Sequence, residues 1–172
     1  MIFRLSQKLA TKIKAGRLSA LPLDENPLAD WTAHLFFADR AQFILLANTK
    51  SLSSTVMVGK GIRTDSEFID LALNRIRDLM ETAGYESIFE QNIAPACKTV
   101  HFAKSLDRSV TGSMNDMVKH AAYYLAEYEL SPSEIGPRLQ DVPMSALKSN
   151  GWPYGFPKDV FKELADKAIP VE

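Results

Sequence analysis

The chain has 172 residues, a single cysteine, 20 Lys plus Arg against 21 Asp plus Glu, and 46% hydrophobic residues. This length fits one domain, and the unpaired Cys97 excludes a disulfide scaffold, a zinc ribbon and an iron-sulfur cluster while fitting a reducing compartment. A formal net charge of -1 provides no general attraction to nucleic acid or to anionic membranes. Since no run of 18 or more apolar residues occurs, we expect a soluble, cytoplasmic protein without a membrane partner.

The chain opens with a β-α pattern. Met1 to Leu5 is apolar and strand-like, and Ser6 is placed to cap a helix over Gln7 to Ala15 that ends at Gly16. Leu9 and Ile13 extend an apolar stripe from Leu5, which predicts that the surrounding basic residues form a solvated face. These basic residues are Arg4, Lys8, Lys12, Lys14 and Arg17. A nucleic-acid patch and a cleaved leader remain the alternatives.

After a proline-bounded loop over 21–29, three segments have the residue pattern of β-strands. Trp31 to Phe37, Ala41 to Asn48 and Leu52 to Val58 are joined by short polar turns, which predicts an antiparallel meander. The middle segment is apolar on both faces, so we expect it to lie inside the sheet. A further short strand is predicted over Thr99 to Ala103.

Two amphipathic helices are predicted behind the meander. The first covers Asp65 to Ala83, since Thr64 and Glu67 have capping-box spacing. The second covers Met114 to Glu129, with Ser113 at the capping position. The sequence therefore predicts an α+β class, with an antiparallel sheet built on the three-stranded meander and packed by two or three amphipathic helices.

The segment 131–172 contains six of the nine prolines and predicts only short helices, beginning at Pro143 and Pro157. Trp152, Tyr154 and Phe156 suggest an aromatic clasp, because large rings favour burial. We expect this Pro-rich tail to pack on the main domain, so that residues 1–172 form a single domain.

Two polar clusters are candidate ligand sites. The first is the turn containing Asn48, Lys50 and Ser51. The second contains Arg108, Ser113, Asn115 and Asp116 and leads into the predicted second helix. Because a helix N-terminus presents unpaired N–H groups, Arg108 beside Ser113 would suit an anion. Ordinary turn formation and helix capping are the competing interpretation.

The three histidines are the remaining candidates. His34 and His101 are predicted on one polar sheet face, which is either a pocket or the half-solvated outer face of an antiparallel sheet. His120 follows Asp116 by four residues, so the carboxylate is placed to orient its ring. A zinc site would require all three rings to converge, and no local spacing enforces this. We expect neither a metal nor a cofactor.

Several strings resemble a bacterial family known only as a domain of unknown function. They are Arg4-Leu5-Ser6 with Lys8-Leu9, Trp31-Thr-Ala-His34-Leu-Phe, Leu46-Ala-Asn48-Thr49-Lys50-Ser51 and Gly112-Ser113-Met114-Asn115-Asp116. The resemblance covers most of residues 1–130. It implies a bacterial, cytoplasmic α+β protein, and it brings no activity, substrate or catalytic residue.

Three functions compete on these patterns. The leading hypothesis is a non-enzymatic binding domain for a protein or small-molecule partner, because no nucleophile, base and orienting acid lie in neighbouring motifs. The second is a hydrolase or transferase for an anionic small molecule, with His34 or His120 as base and Lys50 and Arg108 holding the anion. The third is a nucleic-acid-binding protein that uses the basic first helix, and the balanced net charge argues against it.

Overall fold

The computed structural model describes residues 1–148 and 151–168. The strands are β1 (Ile2–Leu5), β2 (Asp30–Ala38), β3 (Ala41–Asn48), β4 (Ser54–Val58) and β5 (His101–Ala103). The helices are α1 (Gln7–Ile13), α2 (Asp65–Thr82), the single turn α3 (Glu86–Ile88), α4 (Arg108–Glu127), α5 (Pro132–Leu139) and α6 (Pro157–Ala168). None of the helices in these two ranges is long and apolar enough to cross a bilayer.

The five strands form one mixed sheet in the order β4-β3-β2-β1-β5. The antiparallel meander β2-β3-β4 is confirmed, and β3 lies inside the sheet as predicted. The prediction of a purely antiparallel sheet is wrong, because β1 is parallel to both β2 and β5. The chain passes from β1 to β2 through α1, and such a crossover connection brings the next strand in parallel.

Helices cover both faces of the sheet, which separates the core into two clusters. On one face, α1, α2 and α6 contribute Leu9, Phe68 and Phe161 to the first cluster. On the other face, α4 and α5 contribute Met114 and Ile135 to the second. The predicted half-solvated outer face is therefore absent over the β2-β3 region, since α4 and α5 occupy it.

The caps at the front of the chain follow the sequence closely. Ser6 Oγ accepts a hydrogen bond from the Leu9 N–H at 3.4 Å, and Thr64 and Glu67 form the complete capping box predicted for α2. The first helix ends earlier than predicted. Lys14 adopts the left-handed conformation at φ 58°, so the chain leaves the helix before Gly16.

The predicted start of the second long helix is wrong. α4 begins at Arg108, because Asp107 Oδ1 accepts a hydrogen bond from the Val110 N–H at 2.8 Å and caps the helix there. Ser113 lies in the helix interior and is buried. The predicted helix N-terminus at Gly112 and Ser113, and the anion cradle built on it, do not exist.

The proline-rich tail is more helical than predicted. α5 carries Pro132 in its first turn and packs against β4, where a Cβ added at Gly136 would lie 2.6 Å from the Ser54 carbonyl oxygen. α6 begins at Pro157, as predicted, whereas no helix begins at Pro143. Residues 149, 150 and 169–172 of the predicted tail lie outside the described residues.

The predicted aromatic clasp is also wrong. Trp152, Tyr154 and Phe156 are 75%, 56% and 39% exposed, so these rings do not hold the tail by burial. The tail is held instead by apolar side chains of its helices, including Leu139 of α5 and Ala165 of α6, which are fully buried.

Arg4 lies on β1 and is completely buried, contrary to its predicted place on a solvated basic face. Its guanidinium donates two hydrogen bonds to Asp30, at 2.8 and 2.7 Å. The remaining N–H groups reach the carbonyl oxygens of Leu21, Pro22 and Lys104. All five guanidinium donors are thus paired, as a buried arginine requires, and they fix the loop before β2.

Candidate functional site

The side chains of Asn48 and Ser51, in the predicted turn at residues 48–51, form hydrogen bonds with other groups of the protein. Asn48 is fully buried, and its Nδ2 donates to the carbonyl oxygens of Pro27 at 2.8 Å and Asp30 at 3.1 Å. Its Oδ1 accepts hydrogen bonds from the backbone N–H and the hydroxyl of Ser51, both at 3.0 Å. Asn48 and Ser51 therefore shape the turn and have no polar atom directed at a ligand.

Lys50 is the exposed residue of this turn and lines a small cleft of about 140 Å³. The first turn of α4 forms the opposite side of this cleft through Asp107 and Ser109. Arg108 is also exposed at the start of α4. The structure thus brings the turn close to the true start of α4, and away from Ser113.

A larger groove shares no lining residue with this small cleft. We call it the α4 groove. It has a volume of about 540 Å³ and runs between α4 and segment 142–145, with Tyr154 at its edge. Its lining residues are Ser113, Asp116, Lys119, His120, Tyr123, Val142, Pro143, Met144, Ser145 and Tyr154. Three predicted site residues, Ser113, Asp116 and His120, meet here because positions three and four apart share a helix face.

Ser113 forms the floor of the α4 groove. The residue is 4% exposed, and its hydroxyl makes no hydrogen bond with any residue in the ranges 1–148 and 151–168. Because its oxygen is not among the buried unpaired side-chain atoms of the described residues, the hydroxyl is open to the groove. Ser113 therefore offers an unused donor and acceptor to whatever occupies the groove.

The wall opposite α4 is held by backbone hydrogen bonds. Met144 and Gly155 exchange two N–H···O bonds, at 2.8 and 3.1 Å, which tie segment 142–147 to the turn that carries Tyr154. A side chain at position 155 would collide with the Leu147 carbonyl oxygen, so glycine is required for this close approach.

The charged residues of the groove are arranged differently from the prediction. The Asp116 carboxylate accepts a hydrogen bond from Lys119 Nζ at 3.0 Å, and not from His120. In the described parts of the chain, no hydrogen bond joins His120 to Ser113, Ser145 or Asp116. The groove therefore holds a neutral Asp116–Lys119 pair and an exposed imidazole.

Tyrosines give the α4 groove its aromatic character. Tyr123 and Tyr154 are 53% and 56% exposed and come from its two sides. The Tyr123 ring packs against Tyr128 with centroids 5.6 Å apart. The Tyr128 hydroxyl and its negative charge on ionisation raise the pKa of Tyr123. Tyr123 thus keeps its hydroxyl proton at neutral pH and presents a neutral ring.

The other histidines lie away from this groove. His34 points from β2 toward the second core cluster and is 9% exposed, and burial lowers its pKa below the ordinary value of 6.5. His101 shares that sheet face and is exposed on the edge strand β5. Among residues 1–148 and 151–168, no three His, Cys, Asp or Glu side chains are grouped so as to hold a metal ion.

Only three of the ten residues that line the α4 groove were among the predicted site residues. Tyr123 follows His120 by three residues on the same helix face, so helical spacing alone would have found it. Ser145 and Tyr154 come from the chain well beyond the end of α4 at Glu127, and no local pattern links them to the groove. Asn115, a predicted site residue, is exposed on α4 and does not line the groove.

The fold and the groove define an α+β protein with a mixed sheet, helices on both faces and an aromatic groove beside α4. The chain belongs to the family described as Domain of unknown function (DUF6933), whose model matches residues 2–160. The predicted membership of a family of unknown function is thereby confirmed. No curated protein and no solved structure matches the chain.

Proposed function

We propose that this protein is a binding domain and that the α4 groove holds a small planar molecule with a hydrogen-bonding group. The observation that carries the proposal is a groove bordered by two exposed tyrosines, with the Ser113 hydroxyl open at its floor and not bonded to any described residue. Aromatic rings favour contact with planar ligands, and one polar group at the floor fixes the ligand orientation.

The arrangement of candidate bases supports binding over hydrolysis or group transfer. A nucleophile needs a base within hydrogen-bonding reach, and His120 has no such contact with Ser113 or Ser145 in the described ranges. His34, whose pKa is lowered by burial, does not line the α4 groove. Lys50 lines the small cleft at the start of α4 and not the α4 groove, so no shared cavity joins it to His120.

The basic face proposed to bind nucleic acid has fewer accessible cations than the sequence indicated. Arg4 is buried against Asp30, and Lys12 donates a hydrogen bond to Gln42 at 2.8 Å. A phosphate contact needs an accessible cation, so α1 offers fewer of them than its five-residue basic pattern implied.

The binding proposal is tested by calorimetric titration with nicotinamide, a planar ring with one amide. We expect saturable binding that Ser113→Ala weakens about fivefold to tenfold, because one hydrogen bond to the ligand is lost. Ser109→Ala is the matched control, since Ser109 lies one turn earlier on α4, is exposed and does not line the groove. Equal affinities for the wild type and Ser113→Ala would contradict the proposed floor contact.

The hydrolase hypothesis is tested by a separate activity assay. Hydrolysis of 4-nitrophenyl phosphate should remain at the rate without protein, and His120→Ala should not change it, because His120 has no nucleophile to activate. Turnover above that rate which His120→Ala abolishes would favour the hydrolase hypothesis instead.

A further inference from the structure

A second groove lies between α2, α5 and α6. We call it the α6 groove. Its volume is about 370 Å³ and its lining is mainly apolar. The apolar lining residues are Leu79, Ala83, Tyr85, Pro137 and Phe161. No residue of the α4 groove lines it, so the two grooves are separate.

One polar group interrupts the apolar lining. Gln140 Nε2 donates a hydrogen bond to Ser53 Oγ at 2.8 Å, while Gln140 Oε1 is buried and has no partner among the described residues. Ser53 also lines the groove, and its hydroxyl proton has no acceptor within the same ranges. An unpaired acceptor and an unused donor therefore lie side by side.

Both lysines of the groove are already paired with carboxylates. Lys158 and Lys162 line it, but Lys158 is paired with Asp141 and Lys162 with Asp166. Asp159 adds a further negative charge to the lining. An anionic ligand would have to compete with these carboxylates, which favours an uncharged occupant.

From these contacts we infer that the α6 groove binds an uncharged apolar molecule with a single hydroxyl group. The hydroxyl donates to Gln140 Oε1 and accepts from Ser53 Oγ, and the apolar body contacts Leu79, Tyr85 and Phe161. A hydroxyl satisfies both polar groups at once, whereas an ether offers no donor to Gln140. This site is independent of the function proposed for the α4 groove.

The test compares p-cresol with 4-methylanisole, in which a methyl group replaces the hydroxyl proton, by titration followed in ¹H–¹⁵N spectra. We expect p-cresol to shift the amides of residues 79–85 and 158–162 and to bind about tenfold more tightly than 4-methylanisole. Gln140→Met should weaken p-cresol about tenfold and leave 4-methylanisole unchanged. The matched control is Gln42→Met, because Gln42 lies on β3 and lines neither groove.

A second variant blocks the site without removing the acceptor. Ala83 is exposed at the end of α2, so Ala83→Trp should fold normally, fill the groove and abolish p-cresol binding. Thermal unfolding of each variant checks that the fold is retained. Equal affinity for the two probes, shifts confined to the α4 groove, or no saturable shift would each overturn the inference.

Discussion

The turn at residues 48–51 and the outer flank of α4 look alike in sequence, since both are polar strings beside apolar segments, but they differ in what their polar atoms contact. Asn48 and Ser51 are buried and bonded to each other and to the backbone. The Ser113 hydroxyl is open to the α4 groove and makes no bond with the residues described. A polar string indicates a ligand site only where its hydrogen-bonding capacity remains unused.

The largest expected effect comes from breaking the ion pair that supports the turn. The Asp30 carbonyl oxygen accepts hydrogen bonds from Asn48 and Thr49, and the Asp30 carboxylate is paired with Arg4. Arg4→Met leaves that carboxylate buried and unpaired, so the free energy of unfolding should fall by about 3–5 kcal/mol. Denaturant unfolding measures this loss. Lys8→Met, on the exposed side of α1, should change it by less than about 0.5 kcal/mol.

Two asparagines provide a direct contrast between the regions. Asn48→Ala removes a buried side chain with four hydrogen-bond contacts, and we expect a loss of about 2–4 kcal/mol in unfolding free energy. Asn115→Ala, on the exposed face of α4, should be neutral or stabilising by about 0.5 kcal/mol, because alanine favours helix. Similar losses for the two variants would show that the turn is not the structural element described above.

A smaller effect is expected from His34. Its pKa is lowered by burial, so below its ordinary value of 6.5 the unfolded chain binds a proton that the folded chain does not. Stability should therefore decrease as the pH falls through that value. When the pH falls from about 7.5 to about 5.5, the free energy of unfolding of His34→Gln should decrease by about 1 kcal/mol less than that of the wild type. His101→Gln, at an exposed site, is the control and should follow the wild-type curve.

Some parts of the fold are determined by local sequence signals, and others are not. The meander and the α2 capping box depend on neighbours in the chain, and both were predicted. The parallel pairing of β1 with β5 joins residues about 100 positions apart. Neither the alternation of apolar and polar residues nor the turn residues therefore indicate it. For α4, the predicted cap was Ser113, whereas Asp107 caps the helix. Burial of Val110 against the second core cluster favours the earlier start, and that burial is a tertiary contact.

The candidate site was predictable to a similar extent. Helical spacing placed Asp116 and His120 on one flank of α4, and both line the α4 groove, whereas Ser113, predicted as the helix cap, joins them from the helix interior. The opposite wall depends on the Met144–Gly155 backbone pairing, and on glycine at a position where any side chain would collide. Such long-range contacts decide whether a polar flank becomes a groove.

The division of roles between turn and groove is tested most directly by mapping backbone amide shifts during titration of the wild-type protein with nicotinamide. Saturable shifts are expected in residues 113–123 and in segments 142–147 and 151–155, with residues 48–51 unchanged. Shifts centred on residues 48–51, or no saturable shift near Ser113, would contradict the assignment of the α4 groove as the binding site.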